Sequence, residues 1–165
     1  MMNSTILNNE QINHKIKRIA YQILESNPSE KEIVIAGIAT NGFIFAQKLK
    51  TVIEEISKTK VNLCEVKINK KNPLEQIETS LDSSDYKNKP LVLVDDVLNS
   101  GSTLIYGIKH FLEVPLKNFK TAVLVNRNHK KYPVKADFKG ISLSTTLQNN
   151  ITFEFNKDGA IAYLD

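Results

Sequence analysis

Between Leu91 and Thr103 the chain reads Leu-Val-Leu-Val-Asp-Asp-Val-Leu-Asn-Ser-Gly-Ser-Thr, a run that restricts the possible folds more than any other. Four apolar, strand-forming residues lead into two adjacent acids and then into small polar residues around one glycine. Leu104, Ile108, Phe111 and Leu112 follow at helical spacing. A buried strand therefore delivers two carboxylates to its C-terminal edge and hands over to a helix, which is where open α/β sheets hold ligands. The backbone N–H groups of Asn99 to Thr103 can wrap an anion, and the positive end of the helix dipole points at the same spot. Ser100, Ser102 and Thr103 add hydroxyls, and Gly101 allows close backbone approach. Asp95 and Asp96 would repel that anion and so should face something else, either sugar hydroxyls or a Mg²⁺ held between hydroxyls and phosphate oxygens. A plain strand followed by a capped helix explains the cap but not two acids set directly before the small-residue turn.

The rest of the chain builds a frame around this run. Ile12, Ile16, Ile19, Ala20 and Ile23 predict a helix over residues 9–26, with Asn8 and Asn9 as cap candidates and Asn27-Pro28-Ser29 as its stop. Residues 33–38, Ile-Val-Ile-Ala-Gly-Ile, read as a buried strand running into Ala39-Thr40-Asn41-Gly42. A second helix follows with Phe43, Ala46, Leu49, Ile53 and Ile56 on one face, then a strand over 61–68. The polar stretch 69–90 is long for a plain connection and reads as a mobile active-site loop. A helix over 103–113 and a strand over 121–125 come next, and residues 151–155 and 160–164 alternate about Lys157-Asp158-Gly159 as a hairpin. The order describes an α/β fold, a doubly wound and mostly parallel sheet formed as one domain over residues 1–165. The glycine-containing loops 37–42 and 97–102 both leave C-terminal strand ends and should line one crevice.

Composition narrows the class. No apolar run approaches the ~20 residues of a membrane span, and the first residues, MMNSTILNNEQ, lack the basic and apolar regions of a secretory signal. The single cysteine, Cys64, lies in an apolar stretch and reads as an inert core thiol. A cytoplasmic protein is expected. The net charge of +4 comes from lysine, since Arg18 and Arg127 are the only arginines. Such an excess does not demand a nucleic-acid partner. Lys130, Lys131, Lys135 and Lys139 nevertheless follow Arg127 closely, against one acid, Asp137; a solvated loop with an edge strand explains them equally well.

The 91–103 run resembles the signature of the type I phosphoribosyltransferases, which bind 5-phosphoribosyl 1-pyrophosphate (PRPP). The chain is similar, from about Ile6 to Tyr163, to the branch of that family that combines pyrimidine-operon attenuation with uracil phosphoribosyltransferase activity. Asp95, Asp96, Val97 and Leu98 match the family's acidic run. Val123 to His129 stand where the family has Val-Leu-Val-Asp-Arg-Gly-His, and Pro133, Ala136, Asp137, Gly140 and Thr145 continue the match. The resemblance implies a small hood over the sheet and a 5-phosphate cradle of Asn99, Ser100, Gly101, Ser102 and Thr103. It implies a pyrophosphate loop of Ala39, Thr40, Asn41 and Gly42. Asp95 and Asp96 would be catalytic, fixing the ribose hydroxyls and through them Mg²⁺. Arg127, His129 and Thr145 would lie on the base side.

Two departures stand out. The family's pyrophosphate loop reads Gly-Ile-Lys-Thr-Arg-Gly, whereas Ala39 and Asn41 are neutral here. Charge-assisted contacts are worth about 1.5–3 kcal/mol each, so backbone amides, Mg²⁺ or a lysine of the 67–71 segment would have to compensate. Beyond Gly140 the family's Lys-Asn-Ile-Pro-Thr-Ser has become Ile141-Ser142-Leu143-Ser144-Thr145-Thr146, in a region that helps form the base pocket of relatives. Asn99 in place of an aspartate argues against a purine enzyme.

The reading is a phosphoribosyltransferase that joins PRPP to a nucleobase, a pyrimidine such as uracil, giving a nucleoside monophosphate and pyrophosphate with closure of the 69–88 loop excluding water. The alternative is a PRPP- or nucleotide-sensing regulator that binds RNA and has weak or no catalysis; a phosphosugar-binding domain without activity is the third. RNA recognition usually adds stacking aromatics or arginine planes, and the basic segment offers Tyr132 alone. No membrane partner is expected, and a homodimer or higher homo-oligomer is.

Overall fold

The structure is a computed structural model that describes residues 4–144 and 149–165. Its centre is a six-stranded sheet in the order β4-β3-β2-β5-β6-β7. The strands are β2 (Glu32–Ile38), β3 (Lys60–Lys67), β4 (Glu78–Thr79), β5 (Pro90–Leu98), β6 (Asn118–Arg127) and β7 (Phe138–Leu143). All neighbours pair in parallel except β3 and β4. A second, antiparallel sheet joins β1 (Ser4–Leu7) to the hairpin β8 (Ile151–Asn156) and β9 (Gly159–Leu164), with β9 in the middle.

Strands buried on both faces must be apolar throughout, and β5 shows how that works. Val92 and Val94 point into one core with Ile12, Ile19, Phe45 and Leu49, from the helices α1 (Asn9–Ser26) and α2 (Asn41–Ile56). Leu91 and Leu93 point into the other with Leu104 and Phe111 of α4 (Ser102–Phe111). The sheet is therefore doubly wound, as the alternation of strands and helices predicts. Asn8 caps α1 through a reciprocal bond with Gln11, each backbone N–H donating to the other side chain at 2.9 Å. Asn9, the other cap candidate, instead accepts the Ala160 N–H at 2.9 Å and ties α1 to the hairpin. Cys64 is buried in the second core, and His14 is exposed.

Four elements go beyond the sequence reading, β1, β4, β7 and the short helix Ser83–Tyr86. β1 pairs with β9, and β7 extends the main sheet beyond β6. The 69–90 stretch is not one free loop. Thr79 pairs with Val66, and Tyr86 of the short helix α3 (Ser83–Tyr86) is buried edge-on against Phe111, 5.1 Å between ring centroids. Only the part before β4 is left as a connection over the site.

Candidate active site

β5 carries its two acids to the sheet's C-terminal edge, but the acids differ. Asp95 is 4% exposed, and its Oδ1 accepts the Asp96 N–H at 2.9 Å. A Cβ at position 42 would lie 3.0 Å from both Cα and Oδ1 of Asp95, so glycine there lets the start of α2 press against the acid. Burial, then the neighbouring Asp96 carboxylate, push the Asp95 pKa well above the usual carboxylate range, with Lys70 pulling the other way. Asp96 is half-buried and more open to a ligand. Its Oδ1 accepts the Val97 N–H at 2.8 Å, and its Oδ2 accepts from Asn41 Nδ2 at 3.2 Å. Asn41 also donates to the Phe153 carbonyl at 3.2 Å, so one amide joins the 39–42 loop, the acid pair and the small sheet.

Both acids line a cavity of about 190 Å³ with Asn99, Ser100, Gly101 and Thr103. Small-molecule sites usually begin near 300 Å³, so the cavity encloses part of such a ligand and the rest must project outward. Ile151 of β8 and Lys70 complete its wall. Ser102 is not among the lining residues; its N–H donates to Ser100 Oγ at 3.2 Å and begins α4. Gly101 stands at the N-cap with φ +89°, a conformation that L side chains rarely adopt.

The connection between β6 and β7 holds this loop from behind. The N–H groups of Lys131 and Tyr132 donate to the Ser100 carbonyl at 2.8 and 3.1 Å. Val134 packs so closely on Gly101 that a Cβ there would come within 2.6 Å of its Cγ1. Arg127, 8% exposed at the end of β6, donates through Nη1 to Asn99 Oδ1 at 3.1 Å. It therefore reaches the loop after β5, whereas the resemblance implies that Arg127 lies on the base side. His129 is half-buried just beyond, and Thr145 lies outside the described residues.

Ala39 and Thr40 line a separate, more open cavity of about 460 Å³, on the side where β3 runs into the 68–78 segment. Asn41 reaches the first cavity through Asp96, and Gly42 through Asp95. The loops at 37–42 and 97–102 thus meet at the acid pair, each with its own cavity. Sequence reasoning missed the backbone hold of residues 131–134 and placed Lys70 only within the 67–71 segment as a source of compensating charge; a hydrogen bond from a main-chain N–H leaves no mark on residue type.

The Phosphoribosyl transferase domain model matches residues 2–157. The chain belongs to this family. It is 33% identical over 156 residues to the Bifunctional protein PyrR of Clostridium novyi, covering 87% of this chain and 85% of the relative. The protein of the same name from Leuconostoc citreum is 29% identical over 158 residues, covering 92% and 90%. Among solved structures, a hypoxanthine-guanine phosphoribosyltransferase of Bacillus anthracis superposes with a TM-score of 0.73 at 24% identity, over 87% of this chain and 84% of that one. The hypoxanthine phosphoribosyltransferase of Trypanosoma cruzi gives 0.74 at 17% identity, over 90% and 84%. At those identities the likeness is one of fold: the family's α/β core with its parallel sheet. Among the described residues, no helix is long and apolar enough to cross a membrane.

Proposed function

We propose that this phosphoribosyltransferase-family chain transfers the 5-phosphoribosyl group of PRPP to a pyrimidine such as uracil. The bond from the anomeric carbon to pyrophosphate oxygen breaks, a bond to a base nitrogen forms, and that nitrogen gives up its proton. One observation carries the reading. The cavity at the end of β5 joins a half-buried carboxylate to a phosphate-sized loop that opens a helix. Amides at a helix N-terminus suit the 5-phosphate, and Asp96 suits the ribose hydroxyls. Holding the sugar in one orientation lowers the entropic cost of displacement.

Among the described residues no three His, Cys, Asp or Glu side chains gather to hold a metal by themselves. Two adjacent carboxylates, one of them half-buried on a cavity wall, are the donor set that suits Mg²⁺ shared with ligand oxygens, as this ion is commonly held. Asp95 and Asp96 would hold it indirectly, through ribose hydroxyls or water. When bound it supplies charge neutralisation for the departing pyrophosphate. The reading goes with a cytoplasmic protein acting as a homodimer or higher homo-oligomer, which light scattering in solution would report. The test of activity is pyrophosphate release from PRPP and Mg²⁺ with a panel of free bases; uracil should be the best acceptor, and release with no base overturns the reading.

The alternative, an RNA-binding regulator with weak catalysis, is favoured by a specific feature. Lys130, Lys131 and Lys135 are exposed on the β6–β7 connection, the segment that holds the phosphate loop, and Lys139 is exposed in β7 just beyond it. A bound phosphate and a basic surface would thus share one piece of backbone.

A further inference from the structure

We infer that the chain carries a second small-molecule site, between α4 and the connection that leads into β4, and that it takes an α-amino acid with an uncharged side chain. The site shares no residue with the cavity after β5 and stands apart from the proposed transfer reaction.

One half of it is set by helical spacing. Tyr106, Lys109, His110 and Glu113 recur three and four residues apart, so they share one face of α4 and of the turn just past its end. Residues 73–77 cross that face and complete a cavity of about 250 Å³, close to the size at which small-molecule sites begin. Its charges select the ligand. Glu75 and Glu113 are carboxylates and Lys109 is an ammonium, and all three are exposed. The ion pairs among the described residues use none of them. A simple anion would meet two like charges, and a simple amine would meet Lys109. A zwitterion finds opposite charge at both its ends. Its ammonium suits Glu113 and Glu75 Oε1, since Glu75 Oε2 already accepts from Asn69 Nδ2 at 2.9 Å. Its carboxylate suits Lys109.

Two further groups on the wall define the side chain. Leu74 is 75% exposed, the most exposed of the large hydrophobic residues, and it lines the cavity with Pro73, Ile77 and the Tyr106 ring. A side chain of a few carbons would cover this apolar surface. His110 is half-buried, and its Nε2 is buried with no hydrogen-bond partner among the described residues. Folded proteins rarely leave such an atom unpaired. A side-chain amide both donates and accepts, so it suits Nε2 in either tautomer. Glutamine therefore satisfies the wall more fully than leucine.

Calorimetric titration of the full chain should show saturable binding of L-glutamine and L-leucine at one site, with Kd of about 1 mM or tighter and glutamine the tighter. 4-Methylpentanoate is leucine without its ammonium, and 3-methylbutylamine is leucine without its carboxylate. Each should bind at least about tenfold more weakly than leucine, because one charge-assisted contact is lost. Lys109→Gln and Glu113→Gln change exposed residues, so both should melt with the wild type while weakening both amino acids about fivefold or more. His110→Phe removes the unpaired nitrogen; it should weaken glutamine and leave leucine within about twofold. No saturable heat with either amino acid up to about 10 mM would overturn the inference. So would wild-type affinity in both Lys109→Gln and Glu113→Gln. Loss of binding in Asp95→Asn with Asp96→Asn would put the amino acid in the cavity after β5 and overturn it too.

Discussion

Arg127, buried at the end of β6, donates through Nη1 to Asn99 Oδ1 at 3.1 Å, so the loop after β5, proposed to hold the 5-phosphate, is anchored to the neighbouring strand. The loop is thereby positioned before a ligand arrives, and less ordering entropy is lost on binding. Arg127→Gln should destabilise the fold by about 1.5–3 kcal/mol, the range for a hydrogen bond to a charged group. Affinity for ribose 5-phosphate should fall as well. Thermal melts and calorimetry check the two effects separately.

Gly101 meets two demands at once, a φ of +89° and the contact of Val134. Gly101→Ala should cost about 1–2 kcal/mol from the backbone conformation alone, with the overlap on Val134 in addition. Adding Val134→Ala should recover the second part and not the first. A double-mutant cycle by chemical denaturation would show the coupling.

The two acids of β5 are expected to be needed for the ligand and not for the fold. Asp95→Asn with Asp96→Asn should leave circular dichroism and melting close to wild type and weaken PRPP binding at least about tenfold, since hydrogen bonds to charged groups are lost. Unchanged affinity by calorimetry would remove the assignment.

Burial pushes the Cys64 thiol above its ordinary pKa. In the window above the ordinary value the unfolded chain has lost a proton that the folded chain keeps. Stability contributed by this group is therefore complete below that window and is lost as pH rises through the folded value. At pH 8 the folded protein should resist Ellman's reagent, and one thiol should react once guanidinium unfolds it.

If the lysines of the β6–β7 connection contact RNA, Lys130→Gln, Lys131→Gln and Lys135→Gln together should flatten the log–log salt dependence by about one unit per lost phosphate contact. The variant should fold and keep its ribose 5-phosphate affinity, because Lys131 holds Ser100 by its backbone N–H, which glutamine retains. Filter binding with pyrimidine-operon leader RNA at several salt concentrations gives the slope, and the absence of any wild-type shift at low salt would remove the regulator.

Much of this was written in residue types. Five apolar positions at helical spacing marked α1, and buried strands such as β2 and β5 show as unbroken apolar runs. The acids and the small-residue turn located the first cavity. What stayed hidden depends on partners far along the chain. β1 is four residues long and exists only because Thr5 and Leu7 face Tyr163 and Ala162. β7 includes Lys139 and Gly140, which suggest a loop until β6 is placed beside them. The acidic lining of the Ala39 cavity brings together Glu65, Glu75 and Glu78, whose meeting is set by the path of the chain after β3.

The pairing of Ser4 with Leu164 and of Ile151 with Leu164 has a consequence in time. Ile151 forms part of the cavity wall, and the sheet that carries it cannot close until its middle strand, β9, has been synthesised. Chains emerge from the ribosome N-terminus first and contacts so distant in sequence form late. A nascent chain that has completed β5 and α4 already owns the acid pair and the small-residue loop, yet β1 stays without its partner until β9 follows about fifty residues later. The rim of the cleft is thus the last part of the site to be assembled, after β9 has emerged.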